Sequence, residues 1–530
     1  MEGKREPRRS AESPAWGLRW LALAALLFSG VVQALISPPL NWVALHPLSW
    51  VPAFWVFSRL TGRRALAAGW LVAVAANCAI FYWIVHTVGS FSNLPTPVGV
   101  GVLVLFSLGL GFYCAVFAWG FGPVRRAAGR YWPFAIAGWF AICEFANPQL
   151  FPYFQGVAWY QLPAIFLIVS LTGVAGVTFL VIACNAIALQ ALESLRGGAE
   201  RPRVVAINAG ILFALVLGAV AWSAYRLDQI ERAELEAATL RVALIQPNYS
   251  VETYFELTST PEVIAAEFVA LSRAALAEHG PIDIFVWPEK ALIRSPLHKI
   301  NRVVREFALD AGVEVWTGGD YRDRDDSGAS QFFNSAFRVD ATGRMDRRYD
   351  KIVLLPFGEF MPLVDVFPVL GKIEGVGRYN AGTELTVYES DPARFVFLIC
   401  YEAIRSEFVG EAVRKRANLL VNLTFDGWFG DTSEPTEHLM LAAVQSAQFG
   451  VPLVRSTTTG ISAFVDARGV ITDTTGVFTR ETLVADVKPL QVASPYARLG
   501  DWFAGCCGLS SAGLLLRSGF SRRSRAASRS

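Results

Sequence analysis

Long apolar runs dominate the first 225 residues of the chain, whereas short apolar stretches broken by polar helices and Gly/Pro turns dominate the rest. The front runs are Trp20–Ile36, Asn41–Phe57, Ala65–Val88, Val98–Pro123, Trp132–Phe145, Pro163–Leu192 and Val204–Tyr225. Each approaches or exceeds the ~17–25 residues a helix needs to cross a bilayer, except Trp132–Phe145, which is marginal. One further run, Trp502–Leu516, follows a long mixed region and is short unless residues 496–499 extend it. The pattern predicts seven membrane helices, a large domain, and an eighth helix.

Basic residues test that layout. Lys4, Arg5, Arg8, Arg9 and Arg19 precede the first run, and residues 37–40 after it carry no charge. Arg59, Arg63 and Arg64 follow the second; Arg125, Arg126 and Arg130 the fourth; Arg196, Arg201 and Arg203 the sixth. Arg517, Arg522, Arg523, Arg525 and Arg529 follow the last. Every second connection is basic. By the positive-inside rule both termini face the cytoplasm and the large domain faces outward. That alternation requires an odd number of front spans, so the marginal fifth is counted. The first run reads as a retained anchor, because no small-x-small cleavage site follows it.

From Leu240 to about Val487 the texture is that of an α/β layered domain. Strands are expected at Leu240–Ile245, Ile282–Trp287, Val313–Thr317, Ser335–Val339, Arg394–Ile399, Leu419–Leu423, Leu453–Arg455, Ser462–Val465 and Leu483–Val487. Helices are expected at Pro261–Glu278, Leu297–Ala311, Ser406–Lys415 and Glu437–Phe449. Several strands are apolar throughout, which suits central strands covered on both faces. The chain thus divides into a membrane domain (1–225), an outward domain (226–493) and a C-terminal helix with its tail (494–530).

Composition agrees: 53% hydrophobic against 17% charged residues fits a chain part membrane, part globular. A net charge of +2 without a basic stripe excludes nucleic acid as a partner. Trp55, Trp83, Trp119 and Trp132, near span ends, read as interfacial anchors, and Glu144 and His86 as snorkelling or interfacial groups.

Three motifs carry chemistry. Cys400 is the lone cysteine of the large domain and ends an apolar strand, followed by Tyr401 and Glu402. A thiol so placed is a candidate nucleophile, although a buried cysteine is more often a small hydrophobe. Glu289 stands just past the strand that ends at Trp287-Pro288, where α/β sheets bind ligands; a turn carboxylate in solvent would look the same. Lys351 is one of only seven lysines and is followed by Leu355, Pro356, Phe357, Gly358 and Glu359. A compact ammonium suits an oxyanion. The domain's histidines, His279, His298 and His438, sit in no recognisable catalytic motif. A glutamate base and a lysine stabiliser are therefore the set available to activate the thiol.

Glu289, Lys351 and Cys400 together resemble the Glu-Lys-Cys triad of the nitrilase superfamily, which folds as an αββα sandwich. The segments Tyr349–Pro362 (YDKIVLLPFGEFMP), Ile399–Glu402 (ICYE), Asp426–Gly430 (DGWFG), Thr459–Ser462 (TGIS) and Ser494–Asp501 (SPYARLGD) resemble the membrane-embedded branch, the bacterial apolipoprotein N-acyltransferases. The resemblance implies Glu289 as general base, Cys400 as nucleophile and Lys351 as stabiliser of the tetrahedral intermediate. It implies supporting roles for Glu359, Tyr401 and Glu402.

The implied reaction moves a fatty acyl chain from a membrane phospholipid to the N-terminal amino group of diacylglyceryl-cysteine on an apolipoprotein. It passes through a thioester on Cys400, needs no metal or dissociable cofactor, and belongs at the bacterial inner membrane with the catalytic domain on the periplasmic side. The apolar stretch Phe360–Leu370 would lie against lipid or pack in the core. The chain departs from the family in three places. The functional loop Trp has no counterpart in 249–257, which offers Tyr254 and Phe255. Phe425 stands where Asn is usual, and Gln445 and Gln448 where Arg and Glu are common. A tethered amidase would keep the triad but has little use for seven spans. A transporter would need charged residues inside the spans, and these hold almost none.

Overall fold

The period-two pattern of the large domain resolves into two stacked sheets. The computed structural model describes residues 14–92, 94–198, 200–251, 260–292, 297–324, 327–362, 364, 366–368 and 377–527. Its strands are β1 (Leu240–Gln246), β2 (Ile284–Val286), β3 (Glu314–Arg324), β4 (Ser330–Val339), β5 (Tyr349–Asp350), β6 (Tyr388–Ser390), β7 (Ala393–Ile399), β8 (Leu419–Thr424), β9 (Leu453–Thr457), β10 (Ala463–Val465), β11 (Ile471–Thr474) and β12 (Glu481–Val487). One sheet runs β12-β1-β2-β3-β4-β5, the other β11-β10-β9-β8-β7-β6. In each, three neighbouring strands pair in parallel and antiparallel strands flank them.

Side chains on β1 alternate as a strand requires. Val242 and Leu244 join the core between the sheets, while Ala243 and Ile245 face the helices Pro261–His279 and Leu297–Ala311 outside. Trp316 stacks on Phe395 across the sheets, ring centres 3.8 Å apart. The helices Ser406–Arg414 and Glu434–Phe449 cover the second sheet, giving four layers in αββα order. Thr260 caps the first outer helix by accepting from Val263 N, with Pro261 in its first turn.

Expected strands and helices lie where predicted to within a few residues, apart from β3 and β4. These extend into an exposed, polar hairpin beyond the core. β5, β6 and β11 went unforeseen, since two to four residues, or the polar ITDT of β11, show no readable period.

Among the described residues of the front part, five helical stretches are long and apolar enough to cross a membrane: Arg19–Ile36, Gly62–Ile80, Thr96–Phe145, Val174–Leu195 and Pro202–Glu236. Seven spans were expected, and the differences have local causes. The second, Asn41–Phe57, is divided into Val43–Leu45, His46–Ser49 and Val51–Phe57. The third stops at Ile80, and Ile84–Ser92 is separate. The fourth and fifth share one apolar run, which turns at Gly129–Tyr131 so that Phe112–Ala128 and Trp132–Phe145 pack together. The sixth is divided into the short helices Pro163–Phe166 and Val169–Thr172, the second of which ends at Gly173, with φ 64°, before Val174–Leu195 begins.

Glu144 is buried rather than snorkelling: its carboxylate accepts from Gln155 N (2.7 Å) and Thr178 Oγ1 (3.0 Å). Trp83 and Trp132 are buried too, against the expectation of interfacial anchors, because each indole N–H finds a glutamate. Helix Pro202–Glu236 outruns its apolar stretch. Its Arg226 guanidinium donates to Ala493 O (2.9 Å) and Val492 O (3.2 Å), tying the start of the large domain to its end. The last helix, Trp502–Ala527, packs against Trp132–Phe145 and is longer than its apolar run.

Candidate active site

Strand ends bring the expected residues together. β2 stops at Val286 and the turn through Trp287 and Pro288 delivers Glu289. Gly318 on β3 lies directly against that turn, where an added Cβ would stand 2.7 Å from Glu289 Cα, so only glycine permits the approach. Lys351 follows β5, and its N–H donates to Asn334 O on β4 (2.8 Å). Cys400 follows β7 and opens the tight turn Cys400–Ile404 at φ 50°, a left-handed conformation that a side chain holds only under constraint. Glu289, Lys351, Glu359 and Cys400 line one cavity of about 140 Å³, with Lys290, Tyr379, Phe425 and Trp428 in its wall.

A single ammonium organises the charges. Lys351 Nζ lies 2.6 Å from Glu359 Oε2, which also accepts from Leu355 N (2.8 Å). Asn334 Nδ2 donates to Glu289 Oε1 (2.7 Å) and Glu359 Oε1 (2.9 Å), holding the two carboxylates in register. Burial works against the Lys351 charge, but Glu359, Cys400 and Glu289 more than offset it and raise its pKa. Burial likewise opposes the Glu359 carboxylate, yet Lys351 and the hydrogen bonds hold it below the usual range. Burial lifts Glu289 above that range, with Lys351 and Lys290 pulling the other way.

The arrangement thus holds one carboxylate committed to the lysine and a second with raised proton affinity beside a thiol. Burial also pushes the Cys400 thiol up, only partly countered by Lys351. The resting thiol therefore keeps its proton. Iodoacetamide should alkylate Cys400 slowly at neutral pH and still faster with each step up to about pH 9, since a free cysteine of pKa ~8.5 is already levelling off there. A plateau near neutrality, followed by mass spectrometry of the labelled peptide, would contradict this.

Residues 241–495 match the carbon-nitrogen hydrolase family, and residues 29–187 the apolipoprotein N-acyltransferase N-terminal domain. An apolipoprotein N-acyltransferase of Geobacter metallireducens is 31% identical over 94% of this chain and 95% of its own length. The chain belongs to the apolipoprotein N-acyltransferase family. The apolipoprotein N-acyltransferase of Pasteurella multocida is 26% identical over 93% of this chain and 94% of its own. Among solved structures, Saccharomyces cerevisiae Nit3, a member of branch 10 of the nitrilase superfamily, aligns with a TM-score of 0.38 and 16% identity over 47% of this chain and 90% of that one.

The residues expected to support the site, Glu402 and Tyr401, have distinct places. Glu402 is a buried clamp: Oε1 accepts from Tyr349 OH (2.8 Å), Ile352 N (2.7 Å) and Val353 N (3.0 Å), Oε2 from Ile399 N (2.8 Å). It joins the Lys351 segment to the strand end that carries Cys400. Tyr401 points the other way and donates to Leu150 O of the membrane domain (2.6 Å). Trp83 Nε1 donates to Glu437 Oε2 (3.1 Å), and its ring packs edge-on against Phe429.

The departures from the family pattern fall in two regions. Phe425 lines the cavity and packs edge-on against Trp428. Gln445 and Gln448 lie outside it: Gln448 Nε2 reaches Gln445 Oε1 (3.4 Å) and Ser406 Oγ (3.2 Å), a neutral pair under the turn after Cys400. Tyr254 and Phe255 lie outside the described residues, as do 363, 365, 369 and 370 of the stretch Phe360–Leu370. Within that stretch Val366 and Phe367 are exposed.

Sequence reasoning missed Asn334, whose signal was a polar residue inside an otherwise buried strand. It also missed Lys290, which has a φ of 59° and an ammonium bound to Asp320 Oδ1 (2.9 Å) and Tyr379 OH (2.5 Å). Nothing in its neighbours WPE and ALI marks it. The third omission is His438, which contacts the Cys400 carbonyl.

Proposed function

We propose that the protein transfers a fatty acyl chain from a membrane phospholipid to the α-amino group of diacylglyceryl-cysteine on an apolipoprotein, with Glu289, Lys351 and Cys400 as its triad. Glu289 takes the Cys400 thiol proton and the sulfur attacks the acyl ester carbon. The oxyanion gathers beside Lys351. The ester C–O bond breaks, and the departing lysophospholipid oxygen takes the proton back from Glu289. The acceptor amine then attacks the thioester, gives its proton to Glu289, and the sulfur leaves to be reprotonated. Glu359 keeps Lys351 charged and Asn334 keeps the two carboxylates apart.

The observation that carries this reading is the convergence of a raised-affinity carboxylate, a charge-holding ammonium and a strained cysteine on one cavity. The membrane helices fit lipid-anchored substrates, which meet the site in two dimensions. With both termini cytoplasmic, as the basic connections require, the cavity opens on the periplasmic side of the inner membrane. The domain limits 1–225, 226–493 and 494–530 accord with that arrangement.

The test is mass spectrometry of the protein purified from membranes, beside a Cys400→Ala control. A hydroxylamine-labile fatty acyl group on Cys400 that is absent from the control is the expected result. A free thiol after incubation with phospholipid would favour an amidase.

A further inference from the structure

His438 stands on the first turns of the helix Glu434–Phe449 and, with Cys400, Trp83 and Tyr153, lines a second cavity of about 20 Å³. Glu289 and Lys351 line the other cavity, which does not include His438. Its Nε2 lies 3.4 Å from the carbonyl oxygen of Cys400 and its Nδ1 3.2 Å from Asp426 Oδ1. A carbonyl oxygen can only accept, so Nε2 carries a proton.

Behind the ring stands Arg455, fully buried, which donates to Asp426 Oδ2 (2.7 Å) and to Asn422 Oδ1 (2.5 Å). Asn422 Nδ2 donates to Leu398 O (2.8 Å) and lies 3.5 Å from the same Cys400 carbonyl. Through Asp426 the guanidinium thus holds His438 against this main-chain oxygen, with Asn422 beside it. That oxygen belongs to the residue with φ 50°, a conformation that persists only where its surroundings fix it.

In a trans peptide the carbonyl and the following N–H point in opposite directions. Holding Cys400 O toward His438 turns the Tyr401 N–H away from it. That amide is among the donors at the start of a helical turn that find no partner within the turn. We propose that His438 is a positioning residue which, through the Cys400 carbonyl, aims the Tyr401 N–H at the oxyanion formed when Cys400 is acylated. With Lys351 this makes a two-donor oxyanion site. The inference rests on Cys400 being the nucleophile, as proposed above.

The experiment uses the full-length protein in mixed phospholipid–detergent micelles and follows single-turnover formation of the hydroxylamine-labile acyl group on Cys400. The variants are His438→Gln, His438→Asn and His438→Leu. The glutamine amide nitrogen can take the place of Nε2, asparagine reaches only as far as Nδ1, and leucine has no donor. The expected result is a loss of roughly 10²-fold for Asn and Leu, the cost of one misaimed oxyanion donor. Gln should stay within about fivefold of the parent, with half-saturating phospholipid and the Cys400 alkylation rate unchanged throughout.

Equal losses in the Gln and Asn variants, or a loss matched in alkylation or half-saturation, would reduce His438 to a packing role. That comparison decides the matter even if the Leu variant does not fold. Full-speed acylation in the Asn and Leu variants overturns the inference alone. If the parent itself forms no acyl-Cys400, the nucleophile assignment fails first.

Discussion

Glu289→Gln should slow formation of the Cys400 thioester roughly 10²–10⁴-fold while leaving the fold and donor binding intact. The amide oxygen can still accept from Asn334 Nδ2, so the hydrogen bond that orients the side chain survives. What is lost is the proton acceptor for a thiol that burial keeps protonated. The variant's single-turnover rate should therefore climb steadily with pH as solvent ionises the thiol. The parent's rate should flatten once Glu289 has lost its own proton. Because burial raises Glu289, that flattening comes above the ordinary carboxylate range. A loss under about tenfold, or identical pH profiles, would remove Glu289 from the role of base.

Lys351→Met should show two separable losses. Acylation should fall by about 10²–10³-fold, as expected when one oxyanion-stabilising group is removed. Stability should also drop by about 3–5 kcal/mol, because Glu359 is left as a buried carboxylate without its cation 2.6 Å away. Lys351→Met/Glu359→Gln separates them: it removes the orphaned charge and should recover most of the stability but none of the rate. Denaturant unfolding and single-turnover acylation measured on the same preparations check this. Recovery of activity in the double variant would show that Lys351 serves the fold rather than the oxyanion.

Glu289 and Cys400 stood out as candidates because each follows an apolar strand, β2 and β7, whereas Lys351 follows the two-residue β5 and stood out only by its motif. Local pattern offered the three one at a time; it was the resemblance to the nitrilase superfamily that joined Glu289, Lys351 and Cys400 into one expected site. Asn334, His438 and Trp83 could not be placed this way. Their contacts are with partners from 38 to 354 positions away along the chain, which no local period encodes. The broken membrane helices failed for the opposite reason. Pro163 and Gly173 were in plain view, but hydropathy averages across them and hides the break.

Tyr401, next to Cys400, ends on a carbonyl of the membrane domain, and Glu437, one residue before His438, accepts from Trp83. Gly430 is also pressed so closely against His86 that an added Cβ would stand 2.3 Å from its ring. The membrane domain thus braces the segments behind Cys400 and is more than a tether for them. An excised large domain would keep Glu289, Lys351 and Cys400 and lose the surface behind Tyr401 and Glu437. A harsh detergent should silence the chemistry well before either half unfolds.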